Sequence, residues 1–174
     1  MFDRDELHAA LEALVDRIAA TGATARIAMI GGAAMAFLAE SRDATRDVDA
    51  TLHPRPVVLA AAHELALERG WPEDWINDKA LAFWSDDAPL YEVWTPLIDR
   101  DGVRILLAPP ELLLAMKLLA GRGRRDFADI KLLVQHLGIT SISDAITIFD
   151  KYYRDHEIPL RALHFLEEYF STSS

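Results

Sequence analysis

The stretch Ile27-Ala28-Met29-Ile30-Gly31-Gly32-Ala33-Ala34-Met35, followed after a polar run by Thr45-Arg46-Asp47-Val48-Asp49-Ala50-Thr51-Leu52, decides how this chain is read. An apolar run that meets two glycines reads as a buried strand entering a tight turn, and the alanine-rich residues 33–40 read as a short helix. Residues 47–52 alternate polar and apolar, the period of a half-buried strand. In a strand, positions i and i+2 face the same way, so Asp47 and Asp49 present two carboxylates together with Val48 turned inward. Two such carboxylates repel unless something positive lies between them. A divalent cation held by oxygen ligands is the usual solution, and Mg²⁺ is typically held by one or two carboxylates plus substrate phosphates. The glycines let backbone come close to a ligand, and N–H groups opening the next helix can bind phosphate oxygens.

Outward from this segment the periodicities are mostly helical. Leu7, Leu11, Leu14, Val15 and Ile18 recur at helical spacing within residues 5–20, and residues 57–69 return to helix after His53-Pro54-Arg55-Pro56. Residues 70–77 read as a turn and a short helix. The aromatic-rich residues 81–84 and 90–94 read as strands, and so do residues 103–107. Pro109-Pro110 opens a helix that runs over 111–120, and Gly121-Arg122-Gly123 interrupts it. Residues 126–137 form the next helix, closed by Gly138, and two more follow over 141–153 and 159–170, with Ser141 as an N-cap. The expected fold class is α+β: a small mixed sheet with flanking helices, then a helical C-terminal region. One domain is expected over residues 1–174, with a core at about 24–108 and a helical part at about 109–174.

Composition narrows the function classes. The 174 residues carry 28 acidic and 18 basic side chains, a net charge of −10, which argues against a protein that coats nucleic acid by charge alone. With no cysteine, disulfide scaffolds and thiolate-held zinc or iron–sulfur sites are excluded. The histidines show no zinc-binding spacing, and no Walker A, G-x-G-x-x-G or G-x-S-x-G motif occurs. The N-terminus is charged at once and no apolar run is long enough to span a bilayer, so no membrane role and a cytoplasmic location are expected.

A second block holds Glu111-Leu112-Leu113-Leu114-Ala115-Met116-Lys117 and Arg125-Asp126-Phe127-Ala128-Asp129. Lys117 sits inside an apolar helix, so its ammonium either snorkels out or meets a buried acid. Asp126 and Asp129 share a face of the following helix and offer that acid. Arg42 and Arg46 flank the aspartates of the first block, where they can grip phosphates or balance charge. Arg122, Arg124 and Arg125 form a dense basic cluster, either a local nucleic-acid or phosphate contact or a solvated loop. Glu92 is the single acid of the aromatic run Tyr91-Glu92-Val93-Trp94. The four tryptophans read as core or interface residues.

Gly31-Gly32 at a strand-to-helix turn with Asp47-x-Asp49 on the next strand resembles the signature of the polymerase-beta-like nucleotidyltransferase fold. The finer pattern, Gly-Gly-x-Ala-Met, Arg-x-x-Thr-Arg-Asp-x-Asp, Glu-x5-Lys and Arg-Asp-x-x-Asp, resembles AbiEii-type nucleotidyltransferase-like proteins and a related bacterial group of unknown function. It spans roughly residues 27–137, and Trp75-Ile76-Asn77-Asp78 is similar to that group too. The resemblance implies a minimal nucleotidyltransferase fold and transfer of a nucleoside monophosphate from a nucleoside triphosphate to an RNA (tRNA among them) or protein hydroxyl. It implies Mg²⁺ or Mn²⁺ on Asp47 and Asp49, with Glu92 as a third ligand. It also implies nucleotide contacts from Gly31, Gly32, Arg42, Arg46 and Lys117, and catalytic roles for Lys117 and for Asp126 or Asp129. A place in a toxin–antitoxin pair, with a cognate antitoxin or a second copy as partner, is compatible with it. The alternative is a catalytically inactive nucleotide-binding or protein-interaction module on the same fold.

Overall fold

The computed structural model describes residues 2–38, 45–85, 87–88 and 91–172, with backbone alone at Arg125. Arg42 lies outside the described residues. The fold is α+β, and it divides into two compact units. The first comprises residues 1–82 and 90–108, the second residues 83–89 and 109–174.

The first unit is built on a five-stranded mixed sheet in the order β3-β2-β1-β5-β4. Its strands are β1 (Ala25–Ile30), β2 (Val48–His53), β3 (Ile76–Asn77), β4 (Thr95–Arg100) and β5 (Val103–Leu107). β1 lies in the middle, antiparallel to β2 and parallel to β5. One face of the sheet carries Ile27, Met29, Val48, Ala50, Ile76, Val103 and Ile105, all buried. Helices α1 (Arg4–Ala19) and α3 (Arg55–Arg69) pack on one another and onto the sheet. Their own apolar stripes are buried too: Leu7, Leu11, Leu14, Val15 and Ile18 on α1, and Val58, Ala62 and Leu65 on α3. α1 starts at a capping box, in which the Asp3 carboxylate accepts from the Glu6 N–H and Glu6 accepts from the Asp3 N–H.

The opposite face is mixed: Ala28, Ile30 and Leu106 are buried on it beside a set of polar side chains. Asp49, Thr51, Arg26 and Arg104 stand on it, because each is the register partner of its neighbour on the adjoining strand or two residues from one. Tyr91 covers part of this face. Its hydroxyl lies 3.0 Å from Thr51 Oγ1, and the Arg26 guanidinium stacks 4.1 Å from its ring centre.

Three segments differ from the sequence reading. Residues 81–84 are not a strand: Lys79–Phe83 forms a 3₁₀ turn. Residues 90–94 are not a strand either, since Tyr91–Val93 is a second 3₁₀ turn and the true edge strand begins at Thr95. The helix expected after Gly70 is instead a turn at Glu73–Asp74, where the Trp75 N–H donates to the Pro72 carbonyl at 3.0 Å, leading directly into β3. In all three, short aromatic or apolar runs close local turns, as in the Trp94 N–H donating to the Tyr91 carbonyl.

The second unit contains α4 (Pro110–Ala120), α5 (Arg124–His136), α6 (Ile142–Tyr152) and α7 (Leu160–Thr172). α4 packs against α5 and α6, and its whole middle, residues 112–118, is buried. Ser141 caps α6 by accepting from the Asp144 N–H. Phe83 and Ser85 join this unit through side-chain bonds: Ser85 Oγ donates to the Tyr152 carbonyl, and Tyr153 donates to the Phe83 carbonyl, each at 2.5 Å. No helix among the described residues is long and apolar enough to cross a membrane.

Candidate functional site

The site is assembled at the end of β1. Ile30 is the register partner of Asp49, so the chain leaves the sheet beside that carboxylate. Helix α2 (Gly31–Leu38) starts at once from Gly31, whose φ is +62°. That left-handed conformation favours glycine. Space demands it as well, because a Cβ at Gly31 would lie 3.0 Å from Asp49 Oδ2. Gly32 follows, buried, in the first turn of α2.

Asp47 lies just before β2, half-buried. The segment before it is pinned to the N-terminus, since Phe2 and Thr45 exchange backbone hydrogen bonds of 2.7 and 2.8 Å. Thr45 Oγ1 donates to the Asp47 carbonyl at 2.9 Å. Phe2 is itself held edge-on to Trp71, with ring centres 5.2 Å apart, and Trp71 packs on the fully buried Trp75. These aromatic residues are core material, and they fix where the acidic segment enters the sheet.

Asn77 ties the site together. It is 6% exposed and is the β3 register partner of Asp49. Its amide nitrogen donates to Asp47 Oδ2 at 3.4 Å and to the Asp74 carbonyl at 3.2 Å. Its amide oxygen accepts from the Lys79 N–H at 2.9 Å. Asp47, Asp49 and the start of the Lys79 turn therefore share one corner of the sheet.

That corner has a cationic rim. The Lys79 ammonium pairs with the Asp74 carboxylate, and both side chains are largely exposed. The hydrogen bond it donates to Asp74 holds Lys79 above its ordinary lysine value, and the charges of Asp74, Asp47 and Asp49 add to it. Asp74 is held below the ordinary carboxylate range, first by Lys79 and lastly by the charge of Arg46. Arg46 is exposed. Beyond this pair, Arg55 Nε donates to Asp78 Oδ2 at 2.6 Å.

Glu92 is not brought into the site in the way its strand reading requires. It is exposed on the Tyr91–Val93 turn, and among the described residues no group of three His, Cys, Asp or Glu side chains could hold a metal. The carboxylate chemistry at this corner is therefore that of the Asp47 and Asp49 pair.

The second block folds into an ion-pair cluster within the helical unit. Lys117 on α4 lies 3.0 Å from Asp126 Oδ1 and 2.7 Å from Asp129 Oδ2 on α5, with all three side chains at least nine-tenths buried. The Asp126 carboxylate also accepts from the Arg122 N–H at 2.8 Å and from Arg122 Nε at 3.3 Å. Burial opposes the charge of Asp126, yet Lys117 and the Arg122 donors outweigh it and hold the carboxyl below its ordinary value. Of the two fates open to the Lys117 ammonium, the structure gives the buried acid. Arg122 and Arg124 are exposed, and Arg122 stacks 5.1 Å from the Phe83 ring centre.

No protein-family model, curated protein or solved structure matches this chain. The site's meaning therefore rests on its own geometry.

Asn77, Asp74 and Lys79 carried no role in the sequence reading. A lone amide in a two-residue strand has no pattern of its own. The available signal was the tetrad Trp75-Ile76-Asn77-Asp78, which has a buried tryptophan whose Nε1 donates to the Ala62 carbonyl at 3.0 Å.

Proposed function

We propose that this chain is a Mg²⁺-dependent nucleotidyltransferase of the polymerase-beta-like kind. It moves a nucleoside monophosphate from a nucleoside triphosphate to a hydroxyl of RNA, tRNA included, or of a protein. The single observation that carries this reading is the approach of Gly31 to Asp49, with Asp47 bound to the Asn77 that pairs with Asp49. It supports a corner where a backbone turn and two hard oxygen ligands meet.

Two carboxylates fit Mg²⁺ or Mn²⁺ as it binds with a polyphosphate, where substrate oxygens complete the coordination. They do not fit an ion held by protein side chains alone, for want of a third ligand among the described residues. Asp47 and Asp49 would hold the ion. Such an ion neutralises phosphate charge and orients the attacking hydroxyl. Gly31 brings the first turn of α2 beside Asp49, where its N–H groups would meet phosphate oxygens, and Arg46 adds positive charge at the rim. A cytoplasmic location, and either a cognate antitoxin or a second copy of the chain as partner, belong to the same proposal.

The exposed position of Glu92 favours a second reading, a nucleotide-binding module on this fold without turnover. One experiment separates the two. The protein is incubated with α-labelled nucleoside triphosphates, Mg²⁺ and total tRNA or lysate, beside Asp47→Ala/Asp49→Ala. The transferase reading expects label on an acceptor with wild type and none with the double variant. Absence of transfer by wild type under every condition overturns it, and equal transfer by the variant overturns this site.

A further inference from the structure

We propose that Lys79 is the polyphosphate-binding cation of the site and that Asp74 holds it in reserve until the ligand arrives, an inference that rests on the reading of Asp47 and Asp49 above. A bound polyphosphate keeps negative charge after one divalent ion has been matched to it, so the corner needs a cation that can move to it. Lys79, Lys117 and Lys151 have carboxylate partners among the described residues, and the two in the sequence blocks of the proposed site region, Lys79 and Lys117, differ sharply in the cost of release.

Lys117 is clasped by Asp126 and Asp129, with side-chain exposures of 8%, 3% and 5%. Freeing it would take the shared buried ammonium from two buried carboxylates, a strongly unfavourable change. Lys79 has one partner, Asp74, and their side chains are 63% and 62% exposed. Exposed pairs of this kind contribute little, so Lys79 leaves Asp74 at small cost. Its ammonium is a compact charge on a four-carbon stem with freely turning donors, which suits phosphate oxygens arriving from solvent.

Position supports the same assignment. The Lys79 N–H is fixed to Asn77, which also holds Asp47 and pairs with Asp49. The root of the side chain is therefore anchored to the two metal-binding candidates while its tip stays free to move. Asn77 is a positioning residue in this arrangement. Asp74 competes with the polyphosphate for the ammonium.

Calorimetric binding of Mg²⁺-tripolyphosphate tests the proposal, because that probe has phosphates and no base. Lys79→Ala should weaken binding about tenfold, the scale of one charge-assisted contact, and Lys79→Arg should restore most of it. Asp74→Asn should tighten binding about two- to threefold by removing the competitor, an effect that a merely structural salt bridge would not produce. Thermal melting of each variant should stay close to wild type, because both side chains are exposed. Unchanged binding by Lys79→Ala, or no tightening by Asp74→Asn, overturns the proposal while Asp47→Asn/Asp49→Asn still abolishes binding. If that double variant binds as well as wild type, or wild type does not bind at all, the metal-site reading fails and this proposal falls with it.

Discussion

Gly31 and Asp49 sit so close that one added methyl group would stand 3.0 Å from a carboxylate oxygen. Gly138 offers a natural control, with φ +63° and nothing within 4 Å of a built Cβ. Gly138→Ala should cost about 1–2 kcal/mol from backbone strain alone. Gly31→Ala should cost that much and also displace Asp49. Urea unfolding of the two variants, paired with Mg²⁺-tripolyphosphate binding, checks this: both lose stability, and Gly31→Ala alone loses binding. Equal binding by the two variants would show that the close approach has no part in the site.

Lys117 stands between two buried carboxylates, and removing its ammonium takes the buried cation from both while leaving Asp126 the exposed Arg122. Lys117→Met keeps the length and apolar body of the side chain, so the loss is one of charge. The expected cost is about 3–5 kcal/mol, the usual penalty for breaking a buried pair by one partner. Chemical denaturation followed by circular dichroism measures it. A loss below about 1 kcal/mol would mean that the carboxylates take up protons or water instead.

Acid should act on the same cluster. The Asp126 carboxyl ionises below its ordinary value in the folded protein, while in the unfolded chain it returns to about 3.9. Its contribution is therefore complete above the unfolded value and is lost as pH falls through the lowered folded one. The urea midpoint of wild type should drop more steeply below about pH 4 than that of Asp126→Asn. Parallel acid limbs for the two proteins would count against this.

Trp75 is fully buried and donates its indole N–H to the Ala62 carbonyl. Trp75→Phe keeps much of the packing but removes that donor, and a buried acceptor left unpaired costs about 1–3 kcal/mol. Because Trp75 adjoins Ile76 and Asn77, the variant should also weaken Mg²⁺-tripolyphosphate binding. Thermal melting and calorimetry on one preparation read both effects, and a loss of stability without loss of binding would separate the aromatic cluster from the site.

The segments with the strongest periodicity were those the sequence revealed best. β1, β2 and β5 carry long apolar or alternating runs, and α1, α4 and α6 carry clear stripes, so all six lie within a few residues of their expected positions. β4 was hidden by Pro96, which argues against a strand. It is tolerated because β4 lies at the edge of the sheet, with an irregular register between Pro96 and Ile98. The turn at Tyr91–Val93 looked like that strand because its side chains are aromatic and β-branched, yet Tyr91 uses them to cover Arg26 and Thr51. Within the site, the Gly-Gly turn and the two aspartates announced themselves by spacing. Asn77 and Lys79 did not, because their roles arise from the β2–β3 pairing and the turn that follows it, which no local pattern encodes.

The position of β1 in the sheet also sets an order of events in folding. Its antiparallel neighbour β2 follows in sequence after one short helix, but its parallel neighbour β5 comes only after β2, α3, β3 and β4. Closing that long loop carries an entropic cost that local contacts do not repay, so the β1–β5 pairing should be a late and slow step. During synthesis, a ribosome that has not yet delivered Val103–Leu107 holds a chain whose central strand has one open side. In that interval the apolar edge of β1 is exposed to pairing with other chains, and protein yield should depend on how quickly the second half of the chain arrives.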